Sequence, residues 1–150
     1  MRYASALFFV TLLSFVLAAR APENLATFDA FCLDATIYFD QSKNAALEAD
    51  VTEALEHRAF LFELPRRPLE LCPLTTPLVR VNAYYNPQRN IYSLSLEVIL
   101  SLETVQHGSL RDVKIWTMQT IGGTGDFEGD ILDISRELFE EFALDWKTVH

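Results

Sequence analysis

The stretch IYSLSLEVILSLE, residues Ile91–Glu103, carries the clearest structural signal in the chain. Apolar side chains recur at every second position, at Tyr92, Leu94, Leu96, Val98, Leu100 and Leu102. Polar side chains lie between them, at Ser93, Ser95, Glu97, Ser101 and Glu103. A period of two residues is typical of a β-strand with one buried face and one face in water. We therefore expect a sheet with a single apolar face.

Other segments extend this sheet. Apolar residues alternate with polar ones in Phe31–Phe39, Leu78–Tyr85 and Val113–Ile121. The segment Asn86–Asn90 predicts a hairpin turn, and Gly108 predicts the turn that follows the next strand. A short apolar run, Phe60–Leu64, predicts a brief strand at an edge of the sheet.

Two segments have the periodicity of amphipathic helices. The first is Ala45–Arg58, and the second runs from about Phe127 to Lys147. Each carries one apolar stripe, so both helices should cover the same face of the sheet. Residues 65–77 contain four of the six prolines and predict an irregular connector. The predicted fold class is α+β: a two-layer sandwich of about four to five mostly antiparallel strands and two helices, in the order β-α-β-β-β-β-α.

A secretory signal peptide is predicted for residues 1–18. Arg2 precedes an uncharged apolar run that ends in small residues, and cleavage after Ala18 would leave residues 19–150 as a single domain. A cut after Ala21 also fits the small-residue pattern, although Pro22 should hinder it. The alternative is a retained anchor, since the 17 residues between Arg2 and Arg20 are just long enough to span a bilayer. Both alternatives predict a periplasmic or extracellular domain.

The cysteines and the net charge narrow the class of protein further. Cys32 and Cys72 are the two cysteines, and in an exported protein an even count predicts a disulfide. The alternative is two separate thiols. The formal charge of −9 argues against binding to nucleic acid or to anionic lipid.

The sequence contains no recognisable catalytic motif, and no cofactor or metal is predicted from it. Gly122–Gly125 precedes a helix as a phosphate-binding loop would, but the acidic residues after it would repel phosphate. Those acids, at Asp126, Glu128, Asp130 and Asp133, resemble the start of a calcium loop but lack its final glutamate, and they suit a helix N-terminus. The histidines, His57, His107 and His150, are far apart in sequence.

The polar face of the sheet is the candidate binding surface. Counting the alternation outward places on it Tyr38, Arg80, Tyr84, Trp116 and Met118, among Asp34, Asn82, Glu97 and Lys114. Tyrosine, tryptophan and arginine among polar residues are typical of contact surfaces. Aromatic residues also suit strands in general, and Trp116 would point inward if the register of the last strand differed by one residue.

A family resemblance rests on the end of the chain. Trp116, Gly122-Gly123, Asp130, Asp133-Ile134, Leu138, Phe142 and Asp145-Trp146, after a meander of strands, resemble the ending of many small exported bacterial proteins of unknown function. The whole order of elements is similar to periplasmic envelope accessory modules such as the amino-terminal domain of the Tol translocation protein. The resemblance covers about residues 28–147 and implies a fold and a compartment. The chain lacks the lipidation cysteine of the lipoproteins among those modules.

These observations favour an exported, non-enzymatic domain that binds a protein or an envelope component. An alternative is a small secreted hydrolase or ligand-binding protein with a site between the sheet and the Pro-rich connector. A third hypothesis is self-association through an exposed strand edge. The sequence leaves the oligomeric state open.

Overall fold

A mixed β-sheet carries both helices on one of its faces, which confirms the predicted α+β sandwich. The computed structural model describes residues 15–103 and 110–150. Its strands are β1 (Phe15–Ala19), β2 (Phe31–Phe39), β3 (Ser42–Lys43), β4 (Arg66–Arg67), β5 (Leu78–Asn86), β6 (Ile91–Glu103) and β7 (Leu110–Gly123). Its helices are α1 (Ala45–Leu61) and α2 (Phe127–Val149). The order from β2 to α2 matches the prediction, apart from the added β3, and β1 precedes it. The turn predicted at Gly108 lies outside the described residues.

The strands are arranged across the sheet as β1-β7-β6-β5-β2-β3, and β4 pairs with β2 on the same side as β3. β2 runs parallel to β5, because the chain crosses over through α1 and the Pro-rich segment between them. β5, β6 and β7 form antiparallel hairpin pairs, and β1 adds an antiparallel strand at the free side of β7.

The hydrophobic core lies between the helices and the alternating apolar residues of the sheet. Phe31 on β2 is fully buried, and its ring centroid lies 5.2 Å from that of Phe142 and 5.1 Å from that of Trp146. These edge-to-face contacts, together with the burial of three aromatic side chains, hold α2 against the sheet. No helix within residues 15–103 and 110–150 combines the length and apolar character needed to cross a membrane.

The strand predicted for Phe60–Leu64 is wrong, because these residues end α1 instead. Helix α1 continues to Leu61, and Glu63 then adopts a left-handed conformation with φ 55°. The Leu64 N–H donates to the carbonyl of Ala59 and the Glu63 N–H donates to that of Phe60. This is a Schellman turn, which usually has glycine where Glu63 stands. The buried Leu64 completes the turn, and the short strand comes two residues later, at β4.

The placement of Trp116 and Met118 on the polar face is also wrong. Both lie on the helix side of the sheet, where Trp116 is 1% exposed and Met118 9% exposed. The register explains the error: Trp116 lies opposite Val98, but Lys114 lies opposite the next residue, Ile99, so Ile115 is an extra residue on β7. A β-bulge of this kind reverses which face the following residues point to. Lys114 and Trp116 therefore point to opposite faces, although they are two residues apart.

Trp116 is joined to α2 and to the N-terminal segment by a chain of hydrogen bonds. Its indole N–H donates to Asp145 Oδ2 over 2.9 Å, and Arg20 Nε donates to the same oxygen over 2.8 Å. Arg20 also pairs with Glu141, at 2.8 Å. The hydrogen bond from Arg20, aided by that from Trp116, outweighs burial and holds the pKa of Asp145 below its ordinary value.

The predicted disulfide is present between Cys32 and Cys72. Cys32 alternates with the core residues Phe31 and Leu33, so its side chain lies on the face opposite the helices, yet it is fully buried. The bond therefore ties the Pro-rich segment to β2 at this end of the sheet.

We expect loss of this disulfide to destabilise the protein substantially. The bond closes a loop of 40 residues, for which the chain-entropy argument gives about 3–4 kcal/mol. Replacing both cysteines by serine should lower the free energy of unfolding in urea by about this amount. A loss below about 1 kcal/mol would contradict a stabilising role for the bond.

We expect Asp145→Asn to lower stability in a pH-dependent way. A carboxylate whose pKa is depressed by folding stabilises the protein above its unfolded pKa of about 3.9, and this contribution is lost as the pH falls through the folded pKa. At pH 7 the variant should lose about 1–3 kcal/mol of unfolding free energy, and the gap to the parent should narrow below about pH 4. The matched control is Asp133→Asn, an exposed carboxylate on the same helix, which should change little. An equal gap at both pH values would contradict the depressed pKa.

Candidate functional site

The outer face, which is the side of the sheet opposite the helices, presents registered rows of side chains. Two of these rows carry the predicted contact residues. One row crosses four strands as Asp34, Arg80, Glu97 and Thr117, and the other as Tyr38, Tyr84, Ser93 and Ile121. We call them the charged row and the tyrosine row. Between them lies a row of Thr36, Asn82, Ser95 and Gln119.

The tyrosine row contains three exposed apolar side chains of this face. Tyr38 is 38% exposed, Tyr84 is 42% exposed and Ile121 is 43% exposed. Tyr38 and Tyr84 lie side by side because they are partners in the register of the neighbouring strands β2 and β5. Two neighbouring tyrosines provide apolar area with hydroxyl groups, at a low cost in side-chain entropy. This combination is typical of residues that contribute most to a protein contact.

The charged row is held in place by its own hydrogen bonds. Arg80 Nε donates to Asp34 Oδ2 over 3.0 Å, and Lys114 of the neighbouring row has its Nζ 2.5 Å from Glu97 Oε1. Glu97 also accepts from Asn82 over 3.1 Å and from Ser95 over 3.2 Å. With these partners Glu97 is only 8% exposed. The row is therefore already ordered, and a partner would meet a rigid polar surface beside the tyrosines.

The structure brings together three of the five predicted contact residues and separates the other two. Tyr38, Arg80 and Tyr84 lie on the outer face as predicted. Trp116 and Met118 belong to the core. On β7 the exposed apolar residue of the outer face is Ile121 instead. Beyond the bulge, the residues that point to this face are Thr117, Gln119 and Ile121, and this alternation would have identified Ile121. That alternation is readable only once the bulge at Ile115 is known.

A small cavity lies where the alternative hypothesis expected a site. It has a volume of about 180 Å³ and lies between residues 27–30 and the Pro-rich segment, with Asp29 and Arg67 among its lining residues and Asp29 its one carboxylate. Typical ligand pockets have volumes of about 300–1,000 Å³. No histidine lines the cavity. The cavity therefore gives no specific support to a hydrolase.

The polar groups at the start of α2 are hydrogen-bonded to one another. Asp126 caps the helix by accepting from the Gly129 N–H over 3.2 Å, and Thr124 accepts from the Asp126 N–H and donates to Asp130. The glycine segment before it therefore precedes a helix end that is already capped. Within the described parts of the chain, no three His, Cys, Asp or Glu side chains lie close enough to hold a metal ion.

The two histidines within the described residues, His57 and His150, lie apart from the outer face. His57 is exposed on α1. The His150 ring stacks on Trp146, and its nitrogens lie 2.9 Å from the carbonyl oxygens of Trp146 and Phe28. His107 lies outside the described residues.

Comparison with known proteins relates the chain to others through its fold. No protein-family model matches the sequence, and no curated protein matches it. Among solved structures, a DUF4136 family protein from Bacteroides thetaiotaomicron superposes with a TM-score of 0.51 at 9% identity, over 92% of this chain and 96% of that one. A PelC dodecamer from Paraburkholderia phytofirmans has a TM-score of 0.49 at 10% identity, over 84% of this chain and 94% of that one. Neither is a Tol protein, so the Tol-type resemblance stays a prediction.

We expect substitutions on the outer face to leave the fold intact. Tyr84→Ala and Tyr38→Ala each remove a half-exposed side chain, so the free energy of unfolding should change by no more than about 0.5 kcal/mol. Trp116→Ala removes a buried ring and the donor to Asp145, and it should cost about 3–5 kcal/mol. Urea unfolding compares the three variants. A loss of more than about 2 kcal/mol in Tyr84→Ala would contradict its placement on the outer face.

Proposed function

We propose that this protein is an exported, non-enzymatic module that binds a protein of the cell envelope through the tyrosine row. The observation that carries the proposal is the pair of exposed tyrosines at registered positions, Tyr38 and Tyr84, beside an ordered charged row. Export is supported by the apolar N-terminal run and by the disulfide between Cys32 and Cys72, since such bonds persist mainly in oxidising compartments.

The charges on the outer face favour a protein partner over a lipid surface. Arg80 is paired with Asp34 and Lys114 with Glu97, so anionic headgroups would compete with these carboxylates for either cation. The chain as a whole carries a formal charge of −9, which would repel an anionic membrane. A polypeptide can instead pack apolar side chains on the tyrosines and exchange hydrogen bonds with their hydroxyls.

The test is affinity capture from the cell envelope with a matched pair of variants. The tagged protein is incubated with solubilised envelope, and the recovered proteins are identified by mass spectrometry. Tyr84→Ala and Tyr38→Ala should each weaken binding to the recovered partner by about tenfold to thirtyfold. Phe60→Ala is the control, because Phe60 is an equally large ring, 72% exposed, at the end of α1 in the helix layer.

Two results would overturn the proposal. A partner that binds both tyrosine variants as tightly as the parent does not use the tyrosine row. Loss of binding in Phe60→Ala alone would instead place the contact on the helix layer.

A further inference from the structure

We propose that removal of residues 1–18 uncovers an uncharged stretch at the edge of β7, and that two processed chains pair through it as antiparallel strands. The inference rests on the predicted cleavage after Ala18. It does not depend on the proposed role of the tyrosine row, because it concerns the edge of the sheet and not its face.

The leader residues cover a defined part of β7 in the unprocessed chain. β1 pairs with β7 from Ala19 opposite Thr117 to Phe15 opposite Ile121. Cleavage after Ala18 would leave only one of the five residues of β1. The backbone N–H and C=O groups that β7 directs toward β1 would then need a new partner.

The two edges of the sheet differ in the features that prevent edge pairing. On the β2 side, the edge is formed by β3 and β4, which have two residues each and carry Lys43, Arg66 and Arg67, and by residues 33–37 of β2 between them, which include Asp34. Short strands and cations are common ways to block the addition of another strand. On the β7 side, the stretch Thr117–Ile121 contains no charge, no proline and no glycine. It is protected by β1 alone among the described elements of the sheet.

A second copy of this chain matches the uncovered stretch in register and in charge. Antiparallel pairing about a two-fold axis at Gln119 sets Thr117 opposite Ile121 and Met118 opposite Thr120. Residues of the outer face then meet residues of the outer face, and core-side residues meet core-side residues. The stretch Thr117–Ile121 carries no charge, so the two paired strands bring no like charges together.

The processed chain retains what holds β7 in place. Arg20 remains after a cut at Ala18, and with it the bonds to Asp145 and Glu141. The side chain of Asn24 donates to the carbonyl of Ile115 at the bulge, over 2.9 Å. The edge is therefore expected to keep its shape when β1 is lost.

The test uses the full chain expressed with its leader in an exporting bacterium. The N-terminal residue of the purified product is read by mass spectrometry, and its molar mass is measured by light scattering over a range of concentrations. The product should begin at Ala19 and should form dimers as the concentration rises. Gln119→Lys places two lysines together at the two-fold axis and should shift the product to monomer. Its melting temperature should equal that of the parent at concentrations low enough for the parent to be monomeric, because dimerisation itself stabilises the folded chain.

The matched control is Ser93→Lys, which adds the same charge on the outer face of β6, one strand in from the edge. It should leave the dimer intact. Three results would overturn the proposal: a processed product that stays monomeric at every concentration, a Gln119→Lys variant that dimerises like the parent, or a product that retains residues 15–18 and so keeps its edge covered.

Discussion

The indole N–H of Trp116 needs a hydrogen-bond acceptor inside the core. The packing of β7 against α2 and the N-terminal segment depends on that bond. An unpaired buried donor would cost about 1–3 kcal/mol. Asp145 supplies the acceptor, and its own buried charge is then compensated by Arg20. One chain of bonds thus joins β7, α2 and the N-terminal segment, and it sets which side of β7 faces the helices. The bulge at Ile115 makes that orientation compatible with Lys114 on the opposite face.

This orientation decides what the outer face contains. With Trp116 in the core, the exposed aromatic surface there is the tyrosine row, and Arg80 and Glu97 are engaged in ion pairs. The same orientation leaves β7 with a neutral edge next to the predicted leader. A face with an ordered polar row and two exposed tyrosines suits the proposed binding module, and an edge covered by the predicted leader suits the proposed pairing of processed chains.

The alternation in Ile91–Glu103 and in β2 and β5 predicts the sheet, its buried face and the positions of Tyr38, Arg80 and Tyr84. The disulfide follows from the pair of cysteines in a chain with a predicted signal peptide. The sequence does not predict the bulge, because Ile115 resembles any other strand residue and the bulge reflects the partners that Trp116 and Asn24 find in three dimensions. The Schellman turn is missed for a similar reason, since Glu63 occupies the position where glycine would have indicated the end of the helix.

The central claim is that Trp116 lies in the core and the tyrosine row on the surface, and hydroxyl-radical footprinting tests it most directly. The purified protein is oxidised briefly and the modified side chains are located by mass spectrometry. The account predicts oxidation at Tyr38 and Tyr84, with Trp116 spared to the same degree as the buried Trp146. Oxidation of Trp116 at the rate of the two tyrosines, with Trp146 still spared, would contradict it.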